Sequence, residues 1–331
     1  MKKFMNSVDT VLTESLDGFV AAHSLILQSG ANHKFIRRKT LKKNKVALIS
    51  GGGSGHEPLH AGFVGFGMLD AACPGQVFTS PTPDQMSEAA AECDTGGGVV
   101  FIVKNYEGDV MNFDMAVEAA GEGKKVRKVV VNDDIAVENS TYTTGRRGVA
   151  GTLVVEKILG NAAEQGAPID AIVKLGEQTN SRTRSMGVAL TSCTVPAAGK
   201  PTFDIGADEM EFGVGIHGEP GRRRDKLKSA DEIADEIVAG IVKDLGKETE
   251  KPVLLFVNGF GATPLMELYV MYNAAAKQLG KHGVKIARSL VGNYVTSLDM
   301  AGCSITVSAF DIPALGHWDG AVQTAALRWG R

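Results

Sequence analysis

The sequence predicts an α/β protein of two α/β domains with mainly parallel sheets flanked by helices. Short apolar runs alternate with helical segments of roughly 10–15 residues, which is the pattern of βαβ units. The chain has 331 residues, and this length suggests about two domains. Hydrophobic residues make up 44% of the chain and its 40 glycines have no collagen-like period, a composition typical of turn-rich α/β enzymes.

The first half contains a full set of alternating elements. Apolar residues such as Val11, Leu12 and Leu16 recur at helical spacing in the first predicted helix. Glycines at 96–98 open one of the apolar strands. The predicted elements are a helix within 8–27, strands at 46–50 and 69–73, a helix at 83–93, a strand at 99–103, a helix at 110–120, a strand at 126–131, and helices at 151–164 and 169–180.

The second half repeats the alternation, and its two tryptophans predict a tail that docks on the fold. Its predicted elements are strands at 186–190 and 211–216, an amphipathic helix at 231–245, a strand at 253–257, a helix at 264–279, and strands at 284–290 and 304–310. The polar stretch 178–184 marks the predicted boundary between an N-terminal domain, 1–184, and a C-terminal domain, 185–331.

Charge and composition exclude several classes of function. A net charge of −3 argues against a nucleic-acid or anionic-membrane surface. The four cysteines lie far apart without a C-x-x-C pair, so neither a zinc knuckle nor a redox motif is indicated. The N-terminus has no apolar signal core, and no run of 18 or more apolar residues occurs. These features predict a soluble cytoplasmic protein.

A glycine-rich segment after the first apolar strand is the strongest sign of a binding site. Residues 51–58 read Gly-Gly-Gly-Ser-Gly-His-Glu-Pro. Glycines let backbone N–H groups approach a ligand closely, and His56 adds a side chain whose ordinary pKa lies near neutrality. We interpret the segment as a loop that holds a small polar or phosphorylated molecule. An ordinary tight turn is the alternative, which four glycines in five residues disfavour.

The same segment matches two catalytic patterns that its chemistry rejects. Residues 56–60 fit H-E-x-x-H, but Pro58 is excluded from a helix interior, so His56 and His60 lose the spacing of a helical zinc site. The pattern G-x-S-x-G fails because His56 stands two residues after Ser54. The chain also contains no G-x-x-x-x-G-K-[ST] nucleotide-binding loop.

A second polar segment, 104–109, follows the predicted strand at 99–103. Ligands of parallel sheets bind outside the carboxyl ends of the strands, so this segment and the glycine-rich segment are expected on one rim. Lys104 could donate to a substrate oxygen, and Asp109 could accept or orient a hydroxyl proton. The alternative is a surface ion pair with Asp109 as a helix cap.

The third segment, 214–221, places His217 in a glycine-rich turn of the second half. A single histidine is more often structural than catalytic. The flanking glycines favour an exposed imidazole at the tip of the turn, and a neutral imidazole nitrogen is a competent nucleophile toward a carbonyl carbon.

Together the segments ISGGGSGHEP, KNYEGDVMNF and GIHGEPG resemble the K subunit of dihydroxyacetone kinases. The resemblance extends over essentially the whole chain, and Gly-Phe-Gly-Ala-Thr at 259–263 agrees with it. It implies the form that depends on a separate L subunit. This chain would then bind no nucleotide, and ADP or ATP with Mg would be held by the L subunit, recharged by the phosphotransferase system through an M subunit. It also implies a homodimer.

The resemblance implies a role for each matching residue. His217 corresponds to the histidine that forms a covalent hemiaminal with the substrate ketone, and His56 to the proton acceptor for the attacking hydroxyl. The implied substrate contacts are Gly53, Ser54, Gly55, His56, Lys104 and Asp109. The proton acceptor is either His56 or Asp109, and we favour His56 because its ordinary pKa lies nearer the working pH.

Two other functions stay open. A non-catalytic paralogue would bind dihydroxyacetone as a sensor or transcriptional co-activator, keeping His217 but losing the base. A lipid-binding module would use a related two-domain fold. The presence of His56, Lys104 and Asp109 favours the enzyme, and these polar side chains disfavour an acyl chain.

Overall fold

The structure, a computed structural model, describes residues 2–121, 123–136 and 143–330. The helices in these ranges are α1 (Val11–Ala22), α2 (Pro83–Cys93), α3 (Glu107–Ala119), α4 (Gly151–Glu164), α5 (Ile169–Ser181), α6 (Ala230–Leu245), α7 (Leu265–Lys281) and α8 (Ile312–Asp319). The strands are β1 (Leu27–Ser29), β2 (Ile36–Arg38), β3 (Ala47–Ser54), β4 (Gly65–Phe66), β5 (Ala71–Val77), β6 (Val99–Lys104), β7 (Val126–Val131), β8 (Thr183–Ala189), β9 (Glu209–Phe212), β10 (Arg223–Lys226), β11 (Val253–Gly259), β12 (Ile286–Gly292), β13 (Gly302–Ala309), β14 (Val322–Thr324) and β15 (Arg328–Trp329). The α/β class predicted from the sequence is confirmed.

The first sheet has the parallel arrangement that the sequence predicts. Its strand order is β1-β2-β5-β3-β6-β7, and the four strands β5, β3, β6 and β7 run parallel. At one edge, β2 runs opposite to the other strands and pairs antiparallel with both β1 and β5. Because β3 and β6 are parallel neighbours, their carboxyl ends lie at the same rim of the sheet, as predicted for the glycine-rich and Lys104 segments.

The second sheet is mostly antiparallel, so the prediction of mainly parallel sheets is wrong for this half. Its order is β10-β9-β8-β13-β11-β12, and only β11 and β12 pair in parallel. Helix α7 connects these two strands, as a parallel crossover requires. The central strand β13 runs opposite to both of its neighbours, β8 and β11. Alternation of strands and helices along the chain does not reveal such pairings.

Helix α4 connects the two halves of the molecule. All 14 of its residues are buried, and it contacts strands of both large sheets as well as α8. The C-terminal strand β14 pairs with β4 of the first half, so the tail is docked as predicted. The predicted boundary after residue 184 falls inside β8, the first strand of the second sheet. The division into domains 1–184 and 185–331 therefore stays a proposal.

The close packing of α4 predicts the effect of one glycine substitution. A Cβ at Gly160 would lie 2.3 Å from the Gly67 carbonyl oxygen and 2.4 Å from Met68 Cα, both backbone atoms. We expect Gly160→Ala to lower the free energy of unfolding by about 1–3 kcal/mol through overpacking. The matched control is Gly280→Ala in α7, where a Cβ meets no atom within 4 Å. This control is expected to gain up to about 1 kcal/mol from helix propensity. Urea unfolding of both variants measures the difference, and equal stabilities would contradict the packing argument.

Among the described residues, no helix combines the length and the hydropathy needed to cross a bilayer.

Candidate active site

The glycines of the first segment belong to a strand, which corrects the prediction of a glycine-rich loop. Strand β3 continues through Ser54 and pairs with β5 along Gly51, Gly52 and Gly53. A Cβ at Gly52 would lie 2.2 Å from Lys104 Nζ, and one at Gly53 would lie 2.6 Å from the Thr79 amide nitrogen. The glycines are therefore required because a buried ammonium and a neighbouring backbone segment approach the strand this closely.

The two predicted histidines meet although they come from different halves of the chain. The ring centroids of His56 and His217 are 4.7 Å apart, in an edge-to-face arrangement. Phe78 stacks on His56 at 5.1 Å, and the Tyr106 ring lies 4.4 Å from His217. Aromatic rings thus fix the orientation of both imidazoles.

His56 is held with one ring nitrogen free. The side chain is fully buried, and Nδ1 lies 2.8 Å from the backbone carbonyl oxygen of Thr296. A carbonyl oxygen only accepts, so Nδ1 carries the hydrogen and Nε2 of the neutral ring holds a lone pair. Within the described ranges Nε2 has no hydrogen-bond partner. Burial holds the pKa of His56 well below 6.5, and the neighbouring His217 ring and Lys104 ammonium lower it further.

His217 is neutral at physiological pH. Burial, together with the positive charges of Lys104 and Arg147, lowers the pKa of His217 to about 3. Its ring is half-buried and reaches a cavity, so its environment differs from the exposed loop tip expected from the flanking glycines. The neutral state leaves a ring nitrogen with a lone pair, which is the form required of a nucleophile.

A buried ion network fixes the turn that carries His217. Its backbone N–H donates to Glu219 Oε2 at 2.9 Å, and Glu219 Oε1 accepts from Arg147 Nη1 at 3.2 Å. Arg147, 1% exposed, also donates to Asp134 at 2.8 Å and to the Gly213 carbonyl at 2.7 Å. This network joins the segment before α4 to the turn after β9, and so positions His217 against the first half.

Lys104 and Asp109 form the remaining part of the site. Both are buried, and Lys104 Nζ lies 3.5 Å from Asp109 Oδ2. Asp109 belongs to the first turn of α3, which begins at residue 107, three residues earlier than the sequence predicts. Its Oδ1 atom has no hydrogen-bond partner in the part of the chain described here, so it does not cap the helix. This oxygen is available to accept a hydrogen bond from a ligand.

The side chains surround a cavity of about 540 Å³ that opens to solvent. The residues that line it are Gly53, Phe78, Thr79, Ser80, Tyr106, Glu107, Gly108, Asp109, Asn112 and His217. Ser54 is absent from this lining because its hydroxyl donates to the Gly75 carbonyl oxygen at 2.7 Å. Gly55, His56 and Lys104 do not line the cavity either, so the substrate contacts of these four residues stay predictions.

Several residues of the site were missed by the sequence argument. Arg147 and Phe78 carry no local pattern that distinguishes them from structural residues, whereas Tyr106 lies within the second segment. Glu219 lies within the third segment and could have been noticed as the acidic neighbour of His217. No cluster of three or more His, Cys, Asp or Glu side chains suited to a metal ion occurs in the described residues.

Comparisons with known proteins agree on one family. The Dak1 domain model matches residues 17–326. The chain is 46% identical to the PEP-dependent dihydroxyacetone kinase, dihydroxyacetone-binding subunit DhaK, of Escherichia coli (strain K12), with all of both chains covered. Among solved structures it resembles the dihydroxyacetone kinase operon co-activator Dha-DhaQ, with a TM-score of 0.89, 37% identity, and 95% and 97% of the two chains covered. It also resembles the dihydroxyacetone kinase of C. freundii, with a TM-score of 0.89 and 32% identity, covering 99% of this chain and 60% of that one.

Proposed function

Because the chain belongs to the Dak1 domain family, we propose that it is the dihydroxyacetone-binding subunit of a phosphoenolpyruvate-dependent dihydroxyacetone kinase. Full-length similarity to such a subunit supports this role. The observation that carries the chemistry is the pairing of a neutral His217 with a His56 whose Nε2 is free, at a ring distance of 4.7 Å. One histidine can then bind the ketone covalently while the other accepts a proton.

In the proposed first step, a ring nitrogen of His217 adds to the C2 carbonyl carbon of dihydroxyacetone. The new C–N bond forms as the carbonyl π pair moves to oxygen, which gains a proton while the imidazole loses one, giving a neutral hemiaminal. A triose offers too little surface for tight non-covalent binding, since small ligands gain at most about 1.5 kcal/mol per non-hydrogen atom. The covalent bond supplies the anchor and rejects glycerol, which has no carbonyl.

In the proposed second step, a terminal hydroxyl of the anchored substrate attacks a phosphoryl group of the nucleotide on the L subunit. His56 Nε2 accepts the hydroxyl proton, and the products are dihydroxyacetone phosphate and the nucleotide without that phosphoryl group. Lys104 and Asp109 orient the substrate oxygens. Phosphoryl transfer depends mostly on positioning and electrostatics, which suits a buried site with fixed hydrogen-bonding groups.

The proposed partners follow the same reasoning. The cavity opens to solvent, and we propose that the L subunit, with its ADP or ATP and Mg, approaches at this opening. The M subunit would recharge that nucleotide from the phosphotransferase system. A homodimer and the two-domain division at residue 184 belong to this proposal.

Nuclear magnetic resonance with dihydroxyacetone ¹³C-labelled at its carbonyl carbon tests the function. We expect the ketone signal to be replaced by that of a tetrahedral carbon bound to nitrogen when the protein is added. Native mass spectrometry should give the protein plus one whole dihydroxyacetone, because a hemiaminal forms without loss of water. A mass increase that lacks one water would indicate a Schiff base on a lysine and would contradict the role of His217.

We expect the isolated chain to be inactive with ATP and Mg alone. The chain contains no G-x-x-x-x-G-K-[ST] loop, and the proposed phosphoryl donor is bound by the L subunit. Turnover to dihydroxyacetone phosphate should appear when an L subunit carrying ADP and the phosphotransferase relay are added. Steady ATP consumption by the purified chain, at a rate comparable to the reconstituted system, would contradict this proposal.

A dihydroxyacetone sensor is the second candidate, since a co-activator structure resembles the chain at 37% identity. The free Nε2 of His56 favours the enzyme, because a protein that only binds the ketone has no need for a proton acceptor. Turnover with the L subunit distinguishes the two: a sensor forms the adduct without product. A lipid-binding role is disfavoured because Asp109 and His217 line the cavity.

A further inference from the structure

His60, the second histidine of the rejected zinc-site pattern, lies behind the candidate active site. It is 5% exposed and does not line the cavity that His217 reaches. Its Nε2 atom is 3.0 Å from Lys104 Nζ, and its Nδ1 atom is 2.6 Å from Glu156 Oε1 and 2.9 Å from Ser50 Oγ. His60 therefore bridges Lys104, a predicted substrate contact, and a glutamate of the buried helix α4.

Lys104, His60 and Glu156 form a row of hydrogen-bonded side chains, and the hydrogen positions in this row follow from which atoms can donate and which can accept. The Lys104 ammonium only donates, so His60 Nε2 must be the acceptor. Nδ1 then carries the hydrogen and donates to Glu156 Oε1, with Ser50 Oγ as a second acceptor. The Ser50 oxygen can accept here because its own hydroxyl hydrogen is donated to the Ile102 carbonyl oxygen at 2.7 Å. The hydrogens that Lys104, His60 and Ser50 contribute to these bonds thus each face an acceptor.

On the premise of the proposed function, we propose that His60 and Glu156 are positioning residues that hold the Lys104 ammonium toward the substrate. The imidazole fixes one N–H of Lys104 and leaves the others for the Gly51 carbonyl, at 3.4 Å, and for the Asp109 side of the cavity. A flexible lysine side chain is thereby restricted to a single geometry. Neither His60 nor Glu156 touches the substrate in this arrangement.

The charge state of Glu156 links this row to pH. Burial raises the pKa of Glu156 to about 8, opposed by the positive charge of Lys104. The titratable or polar groups that face it are Lys104 from β6, Ser50 from β3 and His60 from the turn after β3. At neutral pH the carboxyl is protonated, and its Oε2 atom has no partner among the described residues, so it can carry this proton. Ionisation of Glu156 above about pH 8 places a negative charge beside His60. This charge offsets part of the positive charge that Lys104 presents to the substrate.

Three variants test the proposal in the reconstituted kinase. Glu156→Gln mimics the protonated carboxyl, so the wild-type rise in KM for dihydroxyacetone through about pH 8 should be absent in this variant. His60→Phe keeps the ring but removes the acceptor for Lys104, and KM should rise about 10–100-fold, the value of a hydrogen bond to a charged group. His60→Gln retains an acceptor and should recover much of this loss. Since a merely structural role would not shift a pH profile, the Glu156→Gln profile is the decisive reading.

Thr152→Val provides the control, since Thr152 is a fully buried residue of the same helix with an unpartnered hydroxyl in the described structure. It should match the wild type in KM at every pH. If Glu156→Gln and His60→Phe behaved like this control while the wild type turned over normally, the positioning role would be refuted and the proposed function would stand. If the wild type formed neither adduct nor product, the proposed function would fail. In that case ¹⁵N spectra of the substrate-free protein still decide the inference: His60 protonated on Nδ1 supports it, and His60 protonated on Nε2 refutes it.

Discussion

Replacing His217 with alanine is expected to abolish the covalent adduct with dihydroxyacetone and all turnover that depends on it. The reason is that His217 is the proposed nucleophile, and burial with the charges of Lys104 and Arg147 lowers its pKa to about 3, which keeps the ring neutral. Among the described residues that line the cavity, no other side chain is an imidazole or an amine. Native mass spectrometry and the ¹³C signal of the labelled ketone measure the loss directly.

The surface residue His282 gives a matched control for this experiment. It is exposed just beyond α7, and His282→Ala should form the adduct as the wild type does. In His217→Ala, weak non-covalent binding through Gly53, Lys104 and Asp109 should remain, and glycerol should become a relatively better competitor because the carbonyl no longer matters. An adduct of undiminished yield on His217→Ala would mean that another residue is the nucleophile.

Replacing His56 with glutamine is expected to lower kcat by about 10²–10⁴-fold, the usual contribution of a general base. The hemiaminal on His217 should still form, because His56 comes from the first half of the chain and acts on a different substrate atom. Adduct yield and reconstituted turnover, measured on the same preparation, separate the two roles. Loss of both together would place His56 in ketone binding instead.

The pH dependence identifies the base. His56 accepts a proton only when Nε2 is unprotonated, so kcat/KM should fall as the pH drops through the pKa of this histidine. The sequence alone suggests an acid limb at pH 6–7, but the structure moves it lower, because burial and the positive charge of Lys104 hold the pKa of His56 well below 6.5. This limb should vanish in His56→Gln. If it survived there and vanished in Asp109→Asn, Asp109 would be the base.

Much of the fold could be predicted because its signals are local. Helices α2 and α4 and strand β7 have the predicted bounds, since each is a periodic or apolar run with clear ends. The shared rim of β3 and β6 followed from the rule for parallel strands. The antiparallel second sheet could not be predicted in this way, because pairings such as β13 with β8 join segments about 120 residues apart, as in Thr306 opposite Ser185.

The sequence by itself determined the α/β class, the order of the three polar segments and the residue types available for chemistry. The tertiary structure decided what those residues can do. The free lone pair of His56 depends on a carbonyl group 240 residues away, at Thr296. The low pKa of His217 depends on burial first and then on the charges of Lys104 and Arg147, and no sequence motif identifies Arg147. Protonation state and tautomer are set by burial and by hydrogen-bond partners, and these come from distant parts of the chain only when it folds.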